Sequence, residues 1–173
     1  VKTQRVAMQA KDQFKSQNFL IIGGAGYVGS HVTKLLNHRG FKTVVLDDFS
    51  TGHKKFIIGK HYEGRAGDKS LIRKILREEK ITGVMHFAAK ALVGESMENP
   101  LLYFQNNVVE TIQLLETMLE EKVVKFVFSS TCSTFGEPKT VPISENIPQN
   151  PVNPYGLSKL MVENILRELA RAQ

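Results

Sequence analysis

The run Phe19-Leu20-Ile21-Ile22-Gly23-Gly24-Ala25-Gly26-Tyr27-Val28-Gly29-Ser30-His31 constrains this chain more than any other stretch. It passes from a short apolar strand, through glycines at 23, 26 and 29, into a segment that reads as a helix. Glycines let a backbone turn sharply and approach a pyrophosphate closely, and the helix behind them aims its N–H groups and positive dipole end at that anion. A second strand, Thr43-Val44-Val45-Leu46, ends in Asp47, 18 residues past Gly29. An acidic side chain about 20 residues on takes the ribose 2′-hydroxyl of NAD. The pairing of the two signals favours a dinucleotide turn over a glycine-rich turn that merely packs a helix on a sheet.

At 173 residues the chain has room for one well-buried domain and not for two large ones. Its 42% apolar and 23% charged residues are ordinary for a globular protein. No apolar run approaches the ~20 residues that cross a membrane, so no membrane partner is expected. The net charge of +6 is concentrated at the start, where Lys2, Arg5, Lys11 and Lys15 against Asp12 leave +3 for the rest. No basic stripe is interleaved with aromatics, which argues against a nucleic-acid partner. Cys132 is the one cysteine; it permits no internal disulfide and suits a reducing, cytoplasmic setting. No metal-ligand set is read from the sequence.

Residues 1–18 are polar and basic without periodicity and read as an N-terminal extension: a tag remnant, a processed leader or a short extra helix. From residue 19 strand-like and helix-like segments alternate. Strands are expected at 19–23, 43–47, 60–63, 82–87 and 124–130, and helices at 27–39, 69–79, 100–121 and 155–171. Such alternation implies βαβ units, right-handed crossovers and an α/β doubly wound parallel sheet with helices on both faces. The near-continuous apolar runs at 82–87 and 124–130 suit strands covered on both sides. The helix at 100–121 is expected to turn inward the stripe 101, 104, 108, 112, 115 and 119. The stretch from Gly136 to Pro154 carries Pro138, Pro142, Pro148 and Pro151 and reads as an extended surface loop.

Tyr155-Gly156-Leu157-Ser158-Lys159 is the second strong signal. Asn153 suits a helix N-cap and Pro154 the first helical position, which puts Tyr155 and Lys159 one turn apart on one face. A free tyrosine loses its proton near pH 10, so a phenolate base working near neutrality must be stabilised by about 4 kcal/mol. A lysine one turn away, a helix N-terminus and a cationic nicotinamide all act in that direction. Taken alone, such a pair is more often an exposed i,i+4 contact. Ser129-Ser130-Thr131, however, closes the fifth strand and brings hydroxyls to the carboxyl end of the sheet, where doubly wound folds bind ligands. A hydroxyl there can donate to a substrate oxygen gaining negative charge; its alternative use is to cap its own turn.

These pieces, with Leu46 to Gly52 (LDDFSTG), His86 to Ala89 (HFAA), Val93 to Ser96 (VGES), Pro100 to Val108 (PLLYFQNNV), Phe128 to Pro138 (FSSTCSTFGEP) and Asn153 to Glu163 (NPYGLSKLMVE), resemble the N-terminal half of the extended short-chain dehydrogenase/reductases. Within that family the likeness is to the UDP-sugar 4-epimerases, and it covers residue 19 to the end. The resemblance implies a Rossmann-like NAD-binding domain over 19–173 whose substrate-binding domain lies beyond this sequence, since family members are about twice as long. It implies that Gly23, Gly26, Tyr27, Val28 and Gly29 cradle the pyrophosphate and that Asp47 holds the adenosine ribose. Phe87, Ala88 and Ala89 would line the cofactor, with Asn106 close by. Thr131 and Tyr155 would form the hydroxyl pair at the sugar, while Lys159 binds the nicotinamide ribose and favours the phenolate. The implied reaction interconverts UDP-galactose and UDP-glucose by reversible oxidation at sugar C4, with a UDP-sugar as the partner molecule. The resemblance also implies a homodimer, formed by the Tyr155 helix and the helix at 100–121 across a four-helix contact.

Related 4,6-dehydratases carry an acidic pair after the catalytic Ser/Thr; Cys132 and Ser133 stand there and cannot do that acid–base work. Other readings are a non-catalytic NAD-binding fragment and an epimerase of UDP-glucuronate or a UDP-N-acetylhexosamine. Three positions depart from the family pattern. Arg65 stands where an acidic residue meets adenine, Lys90 falls one place early in its motif, and Phe135 replaces a tyrosine.

Overall fold

A computed structural model describes residues 17–172, so the expectation for residues 1–18 falls outside the described residues except for Gln17 and Asn18. The chain forms two compact units. One comprises the described residues up to Ala88 together with Gln113–Phe128; the other comprises Ala89–Ile112 and Ser129 onward.

The first unit is built on a five-stranded parallel sheet in the order β3-β2-β1-β4-β5. Its strands are β1 (Asn18–Ile22), β2 (Lys42–Asp47), β3 (Lys60–Glu63), β4 (Gly83–His86) and β5 (Phe126–Phe128). Between them run α1 (Tyr27–His38) and α2 (Lys69–Glu78), close to the expected spans. Reversal of strand order about β1, with β2 on one side and β4 on the other, is the mark of a doubly wound sheet.

Because side chains alternate across a strand, Leu20, Ile22, Val44, Leu46 and Val84 share one face. They pack with Ile72, Ile75 and Leu76 of α2 and with Leu114 and Met118. Each such side chain, buried from water, contributes about 1.5–3 kcal/mol. Ile21 and Val45, fully buried, point the other way, toward the face where α1 packs on β1 and β2. Asp68 starts α2 by accepting the Leu71 N–H at 3.0 Å. Arg77 of α2 grips Glu121 through two bonds of 2.7 Å.

Two expectations are corrected. Among the described residues the fifth strand is shorter than 124–130 and pairs with β4 alone; Val124 is 64% and Val127 51% exposed. Among the described residues its apolar run is thus covered only in part. The helix at 100–121 does form, as α4 (Pro100–Phe104), a π-turn (Gln105–Val109) and α5 (Glu110–Glu120), but only part of the expected stripe turns inward: Val108 and Leu115 are buried and Phe104 is half-buried. Leu101 is 79%, Ile112 36% and Leu119 39% exposed, whereas Tyr103, Asn107, Thr111, Leu114, Thr117 and Met118 are buried. The π-turn adds a residue to one turn and so rotates the faces beyond it. The polar members of the buried stripe are satisfied locally: Thr111 and Thr117 donate to the carbonyls of Asn107 and Gln113 at 2.7 and 2.9 Å.

The second unit contains a short helix that the periodicity does not announce, α3 (Val93–Glu98), then α4, the π-turn and the opening residues of α5. It continues with a 3-10 turn (Cys132–Phe135), the proline-bearing loop and the long α6 (Pro154–Ala172). Among the described residues no helix is long and apolar enough to cross a membrane.

Candidate functional site

In the first unit the glycine turn is shaped by close backbone approach. Gly23 has φ +79°, donates its N–H to Leu46 O at 2.8 Å, and a Cβ there would lie 2.4 Å from Ala88 N. A Cβ on Gly29 would lie 2.2 Å from Gly23 O, so only glycine lets α1 start against the turn. Gly26 is extended, at φ −80° and ψ 174°, and is crowded less severely, a Cβ there lying 3.3 Å from Gly23 O. It caps α1 without a side-chain bond, so the opening turn is shaped by backbone alone. Tyr27 and Val28 are 78% and 52% exposed. Phe87 and Ala88 lie beside Gly23.

Asp47 is buried at the end of β2. Its Oδ2 accepts from Ala25 N and its Oδ1 from Phe49 N, both at 2.9 Å. A Cβ on Gly52 would sit 2.7 Å from Oδ1, so Gly52 is what lets the following loop close over the carboxylate. Asp47 therefore latches the glycine turn to the strand end. Its two oxygens offer about four acceptor positions, of which these bonds use two. The rest can take ribose hydroxyls, and the negative charge opposes a 2′-phosphate, so the residues present fit NAD. Arg65, after Gly64, is exposed.

In the second unit α6 begins as its sequence dictates: Pro154 is the first helical residue and Asn153 Oδ1 accepts from Gly156 N at 2.8 Å. A Cβ on Gly156 would lie 2.5 Å from Ser133 O, so glycine is what seats α6 against the 3-10 turn. Lys159 is 3% exposed and donates from Nζ to Ser129 O at 2.9 Å. Burial pushes its pKa down to about 8, because a charged ammonium is costly away from water. Tyr155 is half-buried and meets Tyr103 edge-on, with ring centroids 6.4 Å apart. Thr131 opens the 3-10 turn in extended conformation, and its Oγ1 accepts from Ser133 N at 3.2 Å. It does cap its own turn, but with an oxygen lone pair rather than its proton.

Two residues that sequence reasoning passed over organise this unit. Buried Asn107, rather than its neighbour Asn106, is the hub: its Oδ1 accepts from Lys90 N at 2.9 Å and from Asn106 Nδ2 at 3.0 Å. Its Nδ2 donates to Lys90 O and Ser158 Oγ, both at 3.0 Å. Lys90 thus acts here through its backbone. Fully buried Tyr103 accepts from Leu92 N at 3.0 Å and faces Leu92 O and Glu95 Oε2 at 2.7 and 2.6 Å. Burial, then the Glu95 hydrogen bond, pushes its phenol up to about 12. The doubled Asn in QNNVV and the tyrosine four places before Asn107 were the available signals.

The predicted residues thus fall into two groups. Gly23, Gly26, Tyr27, Val28, Gly29, Asp47, Phe87 and Ala88 belong to the first unit, and Ala89, Asn106, Thr131, Tyr155 and Lys159 to the second. A doubly wound parallel sheet with a glycine turn, followed by a Tyr-x3-Lys helix, defines the nucleotide-cofactor class of α/β proteins. The chain belongs to the NAD dependent epimerase/dehydratase family, which residues 19–173 match.

Among its relatives, the UDP-glucose 4-epimerase of Lactobacillus helveticus is 50% identical over 149 residues, 85% of this chain and 45% of the relative. A Brucella ovis UDP-glucose 4-epimerase solved in complex with NAD has 42% identity and a TM-score of 0.88, covering 91% of this chain and 49% of that one. The Bifidobacterium longum UDP-glucose 4-epimerase solved with NAD+ and UDP has 34% identity and a TM-score of 0.87, covering 91% and 50%. The chain spans about half the length of the curated relatives it matches.

Proposed function

We propose that this chain is the NAD-binding half of a UDP-glucose 4-epimerase, interconverting UDP-galactose and UDP-glucose. The observation that carries the reading is Lys159, buried and bonded to Ser129 O one helical turn from Tyr155, with Thr131 two residues beyond Ser129. The residues of the glycine turn, Gly23 to Gly29, take the pyrophosphate on backbone N–H groups. Asp47 accepts from the adenosine ribose, and Phe87, Ala88, Ala89 and Asn106 line the cofactor. Bound NAD supplies reversible hydride acceptance at sugar C4. Tyr155 takes the proton of the C4 hydroxyl and returns it, and Thr131 donates a hydrogen bond to the same oxygen. Lys159, as an ammonium, holds the nicotinamide ribose and favours the phenolate.

Calorimetric titration tests the cofactor part. Saturable NAD binding, much tighter than NADP, is expected; equal or absent binding overturns it. A UDP-galactose assay on a chain of the relatives' length, with Tyr155→Phe as control, tests the reaction. Equal inertness of wild type and variant would leave the non-catalytic NAD-binding reading.

A homodimer and a cytoplasmic setting belong to the same proposal. Met97, Leu101, Leu102, Ile112, Leu157 and Met161 leave apolar surface exposed on the helices of the second unit, as a four-helix contact requires. A monomeric mass by light scattering would refute the dimer.

A further inference from the structure

Tyr155, Lys159 and Glu163 follow at intervals of four along α6 and so line one stripe of it. Lys159 grips Ser129 O, and the next residue, Ser130, donates its hydroxyl to Glu163 Oε1. The second oxygen, Glu163 Oε2, accepts from Gln149 Nε2 at 2.7 Å. One carboxylate thus joins the residue beside Thr131 to the stretch that leads through Asn153 into Tyr155. Thr131, Gln149 and Glu163 line the same groove, of about 840 Å3. Arg167, one turn on, bonds Asn164 at 2.6 Å instead, so the clamp consists of hydroxyl and amide donors on a carboxylate.

We propose that Glu163 is a positioning residue that sets Thr131 against Tyr155 by holding Ser130 and Gln149 at once. This rests on the reading of Thr131, Tyr155 and Lys159 as the reacting groups. A carboxylate is suited to the task because both oxygens accept and neither donates. Alanine at 163 leaves Ser130 and Gln149 without this partner, and aspartate is one methylene short of both. The exchange Gln149→Glu with Glu163→Gln keeps the carboxylate–amide bond with its ends reversed and still offers an amide oxygen to Ser130.

The test is solution NMR on the ligand-free chain, reading the Thr131 methyl and the rings of the four tyrosines, assigned by Tyr→Phe variants. Glu163→Ala is expected to shift the Thr131 methyl and Tyr155 ring signals while Tyr62, on β3, stays in place. The exchanged pair is expected to return both signals to their wild-type positions. Unmoved Thr131 and Tyr155 signals in Glu163→Ala overturn the proposal, as does a folded exchange variant that does not restore them. Should Glu163→Ala not fold, Ser130→Ala and Gln149→Ala each remove one arm. They are expected to move Thr131 and Tyr155 respectively, and two silent variants overturn the clamp. Calorimetry with NAD on the same samples separates the two readings. Lack of wild-type binding strikes the proposed function, whereas silent spectra strike the clamp alone.

Discussion

Lys159 Nζ lies 2.9 Å from the carbonyl oxygen of Ser129, donating to it from a side chain almost sealed from water. The contact fixes where the ammonium points, and the burial makes its charge costly.

That cost gives a pH signature. Burial holds the folded pKa of Lys159 at about 8, below the ordinary value of 10.5. Between these values the unfolded chain keeps a proton that the native chain has released, so stability rises with pH through the window and falls as pH drops toward 8. The full effect is about 3 kcal/mol. Lys159→Met is expected to abolish this slope. Urea denaturation of both proteins at pH 7.5 and 9.5 measures it, and equal slopes would contradict the burial argument.

Gly29→Ala is expected to destabilise by about 1–3 kcal/mol, because the new Cβ meets Gly23 O and the backbone on both sides must shift. Gly94→Ala, in α3 with nothing within 4 Å of its Cβ position, is the control and should be neutral or gain about 0.5–1 kcal/mol. Denaturant midpoints at constant slope decide between them.

Asp47→Asn keeps the shape of the side chain but presents an amide N–H2 to one of the two backbone donors that the carboxylate now serves. The expected loss is about 1–3 kcal/mol, the cost of leaving a buried donor unmet. Thermal unfolding without any ligand checks this, separately from whatever the substitution does to NAD binding.

Asn107→Asp removes both side-chain donors and leaves Lys90 O and Ser158 Oγ without them. A buried carboxylate facing a carbonyl oxygen is worse than a lost bond, so a loss of about 3 kcal/mol or more is expected. Hydrogen exchange should show the loss as weakened amide protection around Lys90 and Ser158, with β1 and β2 changed less.

Much of the architecture was legible because its signals are local. Glycine spacing, the terminal Asp47, and the Asn153-Pro154 start of α6 act within a few residues of where they stand. The face of the helix from Pro100 was legible only in part, at Val108 and Leu115, because hydrophobic periodicity assumes that buried means apolar and that every turn has the same count. Asn107, Thr111 and Thr117 break the first assumption, and the π-turn at Gln105–Val109 breaks the second. The exposure of Val124 and Val127 among the described residues was hidden for another reason: they have the composition of a covered strand, and what covers a strand is a property of the sheet rather than of the segment. Thr131, Tyr155 and Lys159 were readable as a motif. Apart from the Asn106 bond to Asn107, what Asn107, Tyr103 and Glu163 do depends on partners 8 to 51 residues away, which no spacing rule supplies.

Asp47 carries a consequence for engineering. On the proposed reading its charge selects against a 2′-phosphate, yet the same two oxygens fasten Ala25 and Phe49. Selectivity and loop closure therefore cannot be altered independently at this position. A variant redesigned to accept the phosphorylated cofactor must also install a new acceptor for the Ala25 N–H, and a single neutral substitution there should trade preference for a loosened turn.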